Sequence, residues 1–183
     1  MHHFQPASRS NGPGWRALVW FQGCTLGCAG CYNPQTHSAE GGETVDPVVL
    51  ADQIIRLQPS IQGITISGGE PFQQLPALLA LVTHIRQNSS LSILLFSGFD
   101  LTEIQKIPRA NAVLAQIDVL IAGRYISSRR LAQGLLGSAN KTAYYLTSRY
   151  SQADLDAVPV AEVIINPDGE IIFSGISPVQ WGS

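Results

Sequence analysis

Short apolar runs alternate along this chain with stretches in which apolar residues recur at helical spacing. Ala17, Leu18, Val19, Trp20 and Phe21 form an unbroken run that reads as a buried strand. Residues 61–66, 91–96 and 118–122 repeat the pattern, and each meets a glycine-containing loop shortly afterwards. Between the first two runs, Val49, Leu50, Ile54, Ile55 and Leu57 make a helical stripe. Asp46 and Pro47 open it as an N-cap and a first helical residue. Residues 75–87 predict a second helix, and residues 101–116 a helical or irregular stretch broken by Pro108. Residues 125–147 carry no clear period. A short helix is expected near Ala153, and a hairpin over 161–165 and 170–173, turning at Asn166, Pro167, Asp168 and Gly169.

Strands alternating with helices imply a parallel α/β sheet with its ligand chemistry at the carboxyl ends of the strands. A closed eightfold barrel takes about 250 residues. With 183 residues, an open partial (β/α) barrel is expected instead. The whole chain, 1–183, reads as one domain, with residues 1–14, including His2 and His3, a flexible N-terminal segment. Trp20 and Phe21 are expected in the core, and His84 at a helix boundary.

Composition changes the picture in one respect. Hydrophobic residues make up 45% and charged residues 13%, with a net charge of −2, so a basic nucleic-acid surface is not expected. Arg124, Arg129 and Arg130 read as a solvated cluster. No stretch approaches the ~20 apolar residues of a membrane span, and the opening Met1, His2, His3 and Phe4 lack an export pattern. The expectation is a cytoplasmic protein that binds neither membrane nor nucleic acid.

All 3 cysteines fall in one glycine-rich segment, Cys24, Cys28 and Cys31, spaced C-x3-C-x2-C. Three thiolates on a tight loop can hold three irons of a cubane cluster and leave the fourth iron open. Two other readings compete. The thiols could hold a structural zinc with His37, or be unliganded small hydrophobes. A second candidate is Ser67-Gly68-Gly69-Glu70-Pro71, after the second run. Taken alone it reads as a tight turn capping the next helix.

Together these two motifs resemble the radical S-adenosylmethionine superfamily. The match is closest to the activating proteins of anaerobic ribonucleotide reductase and the related glycyl-radical enzyme activases. It extends through Gly12, Pro13, Gly14, Trp15 and Arg16, through Phe21, Gln22 and Gly23, and through Tyr32, Asn33 and Pro34. Ser97-Gly98-Phe99, Asp118-Val119-Leu120-Ile121 and Gly137-Ser138-Ala139-Asn140 continue it.

The resemblance implies a partial barrel of the radical S-adenosylmethionine type, with about six strands. It implies a 4Fe–4S cluster on Cys24, Cys28 and Cys31, with S-adenosylmethionine as second cofactor. Gly68, Gly69 and Glu70 would meet the methionine amino group, Tyr32 the adenine and Ser97 the ribose side, with Asn140 in the same site. Arg16 and Asn33 are candidate supporting groups. Reductive cleavage would give a 5′-deoxyadenosyl radical, which takes a hydrogen atom from a glycine of a partner enzyme. Flavodoxin or ferredoxin would supply the electron. A small-molecule or peptide substrate, or a non-catalytic metal-binding module, are the alternatives.

Three positions depart from superfamily or activase usage. Gly30 precedes the third cysteine where many superfamily members carry an aromatic. Arg124 stands where the activases tend to have proline, and Lys141 where they tend to have glutamine. Arg124 is a candidate for the carboxylate of S-adenosylmethionine or for a partner.

Overall fold

The computed structural model describes residues 1–133, 135–165, 169 and 171–176. Its strands are β1 (His3–Ser8), β2 (Arg16–Phe21), β3 (Gly63–Gly68), β4 (Ser92–Phe96) and β5 (Val119–Ala122), followed by β6 (Arg130–Gln133), β7 (Leu136–Ser138), β8 (Thr142–Tyr145), β9 (Ala161–Ile165) and β10 (Ile171–Gly175). The helices are α1 (Pro47–Ile55), α2 (Leu75–Asn88), α3 (Leu101–Lys106), α4 (Ala110–Leu114) and α5 (Gln152–Asp156). Six strands form the main sheet in the order β1-β2-β3-β4-β5-β8. β2 to β5 are parallel, and β1 and β8 flank them antiparallel.

Side chains alternate across this sheet, as the two-residue strand period requires. Val19, Ile64, Ile66, Ile93, Leu95 and Leu120 pack under α1, α2, α3 and α4. Leu94, Val119 and Ile121 point the other way and meet Leu135, Leu155 and Val158. Both faces are covered, so the central strands read as continuous apolar runs. Asp46 caps α1 as expected, accepting hydrogen bonds from the backbone N–H of Val48 (2.8 Å) and Val49 (3.2 Å). Pro108 separates α3 from α4. His84 sits half-buried on α2, its Nε2 2.7 Å from Asp52 Oδ1 of α1.

The expected flexible segment is a strand over His3–Ser8. β1 pairs with β2, His3 opposite Trp20 and Ser8 opposite Arg16, with an irregularity between Gln5 and Ser8. Pro6 obscured it, because proline removes a ladder donor, but an edge strand tolerates that loss. Glu162 of β9 pins the far end, accepting from the Ser8 hydroxyl, the Arg9 backbone N–H (2.9 Å) and the Ser10 hydroxyl (3.0 Å). β9 and β10 form the expected hairpin. Of its turn, only Gly169 falls among the described residues.

The amino ends of the parallel strands are held by charge. Arg16 is fully buried at the start of β2. Asp118 accepts from Arg86 Nη2 (2.9 Å), the Ile93 backbone N–H (2.8 Å) and the Thr147 hydroxyl (2.8 Å). Burial alone would raise its carboxyl, but these bonds together hold it below the usual aspartate range. Among the described residues no helix is long and apolar enough to cross a membrane.

Candidate metal centre

The cysteine loop leaves the carboxyl end of β2 and is tied down on two sides. The backbone N–H of Gly23 donates to Thr36 O (2.8 Å) and that of Cys24 to His37 O (3.0 Å). On the β3 side, Gly69 N donates to Phe21 O (2.8 Å), and Glu70 N to Gly23 O (3.0 Å). Thr25 is clasped by Gln73, which accepts from its backbone N–H (3.1 Å) and donates to its hydroxyl (2.7 Å). Gly27 (φ 61°) and Gly30 (φ 70°) take left-handed conformations that let the loop double back between the cysteines.

All three thiols are half-buried and free, and all three line one cavity of about 450 Å³. Gly68, Gly69, Glu70, Ser97 and Tyr32 line it too. Among the described residues no three His, Cys, Asp or Glu side chains are drawn together into a closed metal-ligand set. The thiols therefore share a wall without converging on a point. His37 lines the same cavity without joining them in such a set.

The donor chemistry fits an iron–sulfur cluster: three soft sulfur ligands on one loop, facing a space large enough for a bulky group and a second ligand. Burial pushes the Cys24 thiol up, a backbone hydrogen bond at Leu26 opposes this, and the charges of Glu70, Cys28 and Cys31 push it further. Metal uptake must therefore displace protons.

Glu70 is completely buried. Its Oε1 accepts from the Phe72 backbone N–H (3.0 Å) and the Ser97 hydroxyl (2.9 Å), and its Oε2 from the Gly98 backbone N–H (2.7 Å). Burial raises this carboxyl. The three bonds and the nearby Lys141 charge pull it back only in part. Glu70 thus caps the turn after β3, as the local reading expects, and it also lines the cavity.

Tyr32 packs on Tyr125 with ring centroids 4.7 Å apart, and its buried hydroxyl finds no partner at hydrogen-bonding geometry. Burial raises its phenol, with Tyr125 adding to the shift. Gly137 leaves room for this ring: a Cβ there would lie 3.0 Å from Tyr32 Cε2.

Other expected residues fall differently. Asn140 is not on the cavity wall. Its Nδ2 donates to Arg124 O (2.7 Å), and its buried Oδ1 is unpartnered. The neighbouring Lys141 lines the cavity instead. Arg124 turns away from the cavity, making two bonds to Glu103 (2.9 and 3.0 Å) and one to Gly98 O (2.6 Å). Phe21 is core, but Trp20 is half-buried and lines the cavity with His2 and His3, because adjacent strand residues face opposite ways. Asn33 lines the cavity, whereas Arg16 lies at the other end of β2.

The 4Fe-4S single cluster domain family matches residues 10–144, a span that holds every site residue named above except His2 and His3. The chain is 35% identical over 132 residues to the anaerobic ribonucleoside-triphosphate reductase-activating protein of Haemophilus influenzae, covering 69% of this chain and 84% of that protein. The protein of the same name from Vibrio cholerae is 32% identical over 156 residues, 80% of this chain and 97% of its own length. The chain belongs to this family of reductase-activating proteins. A putative glycyl-radical enzyme activating enzyme of H. influenzae is 35% identical over 101 residues, 54% of this chain and 38% of that protein. In this member of the activating-protein family, the β9–β10 hairpin lies beyond the family match.

Gly69 offers a test of how the cysteine loop is placed. A Cβ at this position would strike the Gly23 carbonyl, immediately before Cys24. Gly69→Ala is expected to weaken iron binding by about 10- to 100-fold, the usual cost of disturbing the residues behind a metal's ligands. Anaerobic iron and sulfide titration measures it, with circular dichroism to check the fold. Wild-type affinity in the variant would show that the loop is not positioned by this contact.

Proposed function

We propose that this protein is a radical S-adenosylmethionine activase that generates a glycyl radical on a partner enzyme of the anaerobic ribonucleotide reductase type. When bound, a 4Fe–4S cluster with S-adenosylmethionine on its open iron supplies one-electron reductive cleavage to methionine and a 5′-deoxyadenosyl radical. The observation that carries this reading is the shared cavity: three half-buried thiols after β2 face the glycine turn after β3 and Ser97 after β4.

Cys24, Cys28 and Cys31 would hold the cluster. Gly68 and Gly69 would line the methionine end, their missing Cβ atoms making room for the backbone of Phe21 and Gly23. Glu70, whose oxygens already accept from Phe72, Ser97 and Gly98, would act on the amino group through its charge. The unpartnered Tyr32 hydroxyl and its ring suit the adenine side. Ser97 stands on the ribose side. Flavodoxin or ferredoxin supplies the electron, and the protein works as a single domain in the cytoplasm. The linear strand order, with β1 and β8 as separate edges, supports an open partial barrel.

A small-molecule or peptide substrate has one observation in its favour. Ile172 and Ser174 of the β10 strand line the same cavity, so the chain's own hairpin closes part of it.

The test uses protein reconstituted anaerobically with iron and sulfide, then given S-adenosylmethionine and dithionite. 5′-Deoxyadenosine, read by mass spectrometry, is expected only when the reductant is present. An anaerobic ribonucleotide reductase added to the mixture should then show a glycyl radical by electron paramagnetic resonance. A fully loaded cluster that yields neither product in the presence of the reductase would defeat the proposal. Deoxyadenosine without a glycyl radical would turn attention to the smaller substrate.

A further inference from the structure

We infer that Lys141 is the fixed positive charge that sets the electron affinity of the metal centre, an inference that rests on the cluster reading above. Lys141 lies just before β8, and its ammonium donates to the carbonyls of Gly123 and, at 3.5 Å, Ser97. Those carbonyls follow β5 and β4, so the charge is fastened at the carboxyl ends of two parallel strands, on the wall of the cysteine cavity.

The charge is not spent on a carboxylate. Among the described residues no acidic side chain lies within ion-pair distance of Lys141. The acidic groups close enough to act on it are Glu70, Cys28 and Cys31. Glu70 already has both oxygens occupied, by Phe72, Ser97 and Gly98. Arg124, the other nearby cation, is paired with Glu103. Lys141 thus stands beside the thiols with no direct ion-pair partner, Glu70 acting on it only from beyond ion-pair distance. Withdrawing an unpaired ammonium from water is costly. Burial lowers its pKa, with Glu70 foremost in opposing that shift.

The consequence concerns reduction. One electron from an external reductant makes a three-thiolate cluster more negative by one charge, with no bond made or broken. A cation held nearby in a medium of low dielectric stabilises the reduced state over the oxidised one. Lys141 therefore makes the cluster easier to reduce. It acts as a positioning charge and touches no reacting atom.

The test is the midpoint potential of the reconstituted full-length protein without S-adenosylmethionine, followed by the electron paramagnetic resonance signal of the reduced cluster. Lys141→Gln is expected to shift the potential to more negative values, and Lys141→Arg to keep it near wild type. Equal potentials in wild type and Lys141→Gln overturn the inference, as does an arginine variant shifted as far as the glutamine one. If Lys141→Gln takes up no iron, Lys141→Met is the second neutral variant. Should both neutral variants fail while Lys141→Arg holds a cluster at the wild-type potential, the need for charge stands. Loss of iron from all three overturns it. A wild type that assembles no cluster defeats the functional reading itself, whereas an unchanged potential defeats only the role of Lys141.

Discussion

Cys28→Ala is expected to leave the sheet folded and to reduce 5′-deoxyadenosine formation to background. Cys28 belongs to neither apolar cluster. Its thiol is half-buried, and its backbone carbonyl accepts from Cys31 N (3.2 Å), a bond that alanine keeps. Loss of that thiol should change stability by no more than about 0.5 kcal/mol, as for ordinary surface substitutions. Function stands differently. Two remaining thiolates leave two irons of a cubane without cysteine, and the site has no spare ligand set among its described residues. Urea midpoints, iron content and mass-spectrometric detection of deoxyadenosine on the same preparation separate the two effects. Turnover at the wild-type rate in Cys28→Ala would sink the assignment of the cluster to this loop.

Arg16→Ala should do the reverse and strike the fold, at a cost of about 3–5 kcal/mol, because several buried acceptors lose their donor at about 1–3 kcal/mol each. Typical domains have only about 5–15 kcal/mol to lose. The guanidinium is fully buried and donates to Thr65 Oγ1 (2.8 Å), Ser92 Oγ (2.8 Å), Pro13 O (3.1 Å) and Ile64 O (2.5 Å). It joins β2, β3 and β4 at their amino ends without a carboxylate in direct contact. Burial lowers its pKa, with Tyr150 and Asp118 opposing the shift. Alanine would leave several buried acceptors unmet and a cavity behind. Gly12 and Gly63 reflect the same demand for space, since a Cβ would lie 2.6 Å from Arg16 Cδ at the first and 2.5 Å from Nη1 at the second. Arg16→Lys keeps the charge but offers fewer, differently placed donors, so an intermediate loss is expected. Chemical denaturation with a urea series decides the matter, and a drop below about 1 kcal/mol for Arg16→Ala would mean that water replaces the guanidinium without penalty.

The parallel core was legible because burial on both faces writes itself as unbroken apolar runs, and because Asp46-Pro47 is a local signal for a helix start. The cysteine spacing and the Gly68-Gly69-Glu70 turn were legible for a related reason, since their chemistry depends on residues close in sequence. β1 was hidden by Pro6. β6, β7 and β8 are three or four residues long, too short for a period to declare itself, and their pairing is decided by distant partners. Of the adjacent residues Asn140 and Lys141, the motif pointed to Asn140, whereas Lys141 is the one that lines the cavity. Which of two adjacent residues faces the cavity depends on how the chain enters β8, and Asn140 is turned back onto the Arg124 carbonyl.

Glu70 joins two loops that the chain separates by more than twenty residues, through its bonds to Ser97 and Gly98. The segments after β3 and after β4 are consequently one structural part. A chimera that borrows either loop from another family member must supply a matching acceptor or donor across the seam, or bury an unanswered carboxylate. Exchanging both together carries the rivet along with the two plates it fastens.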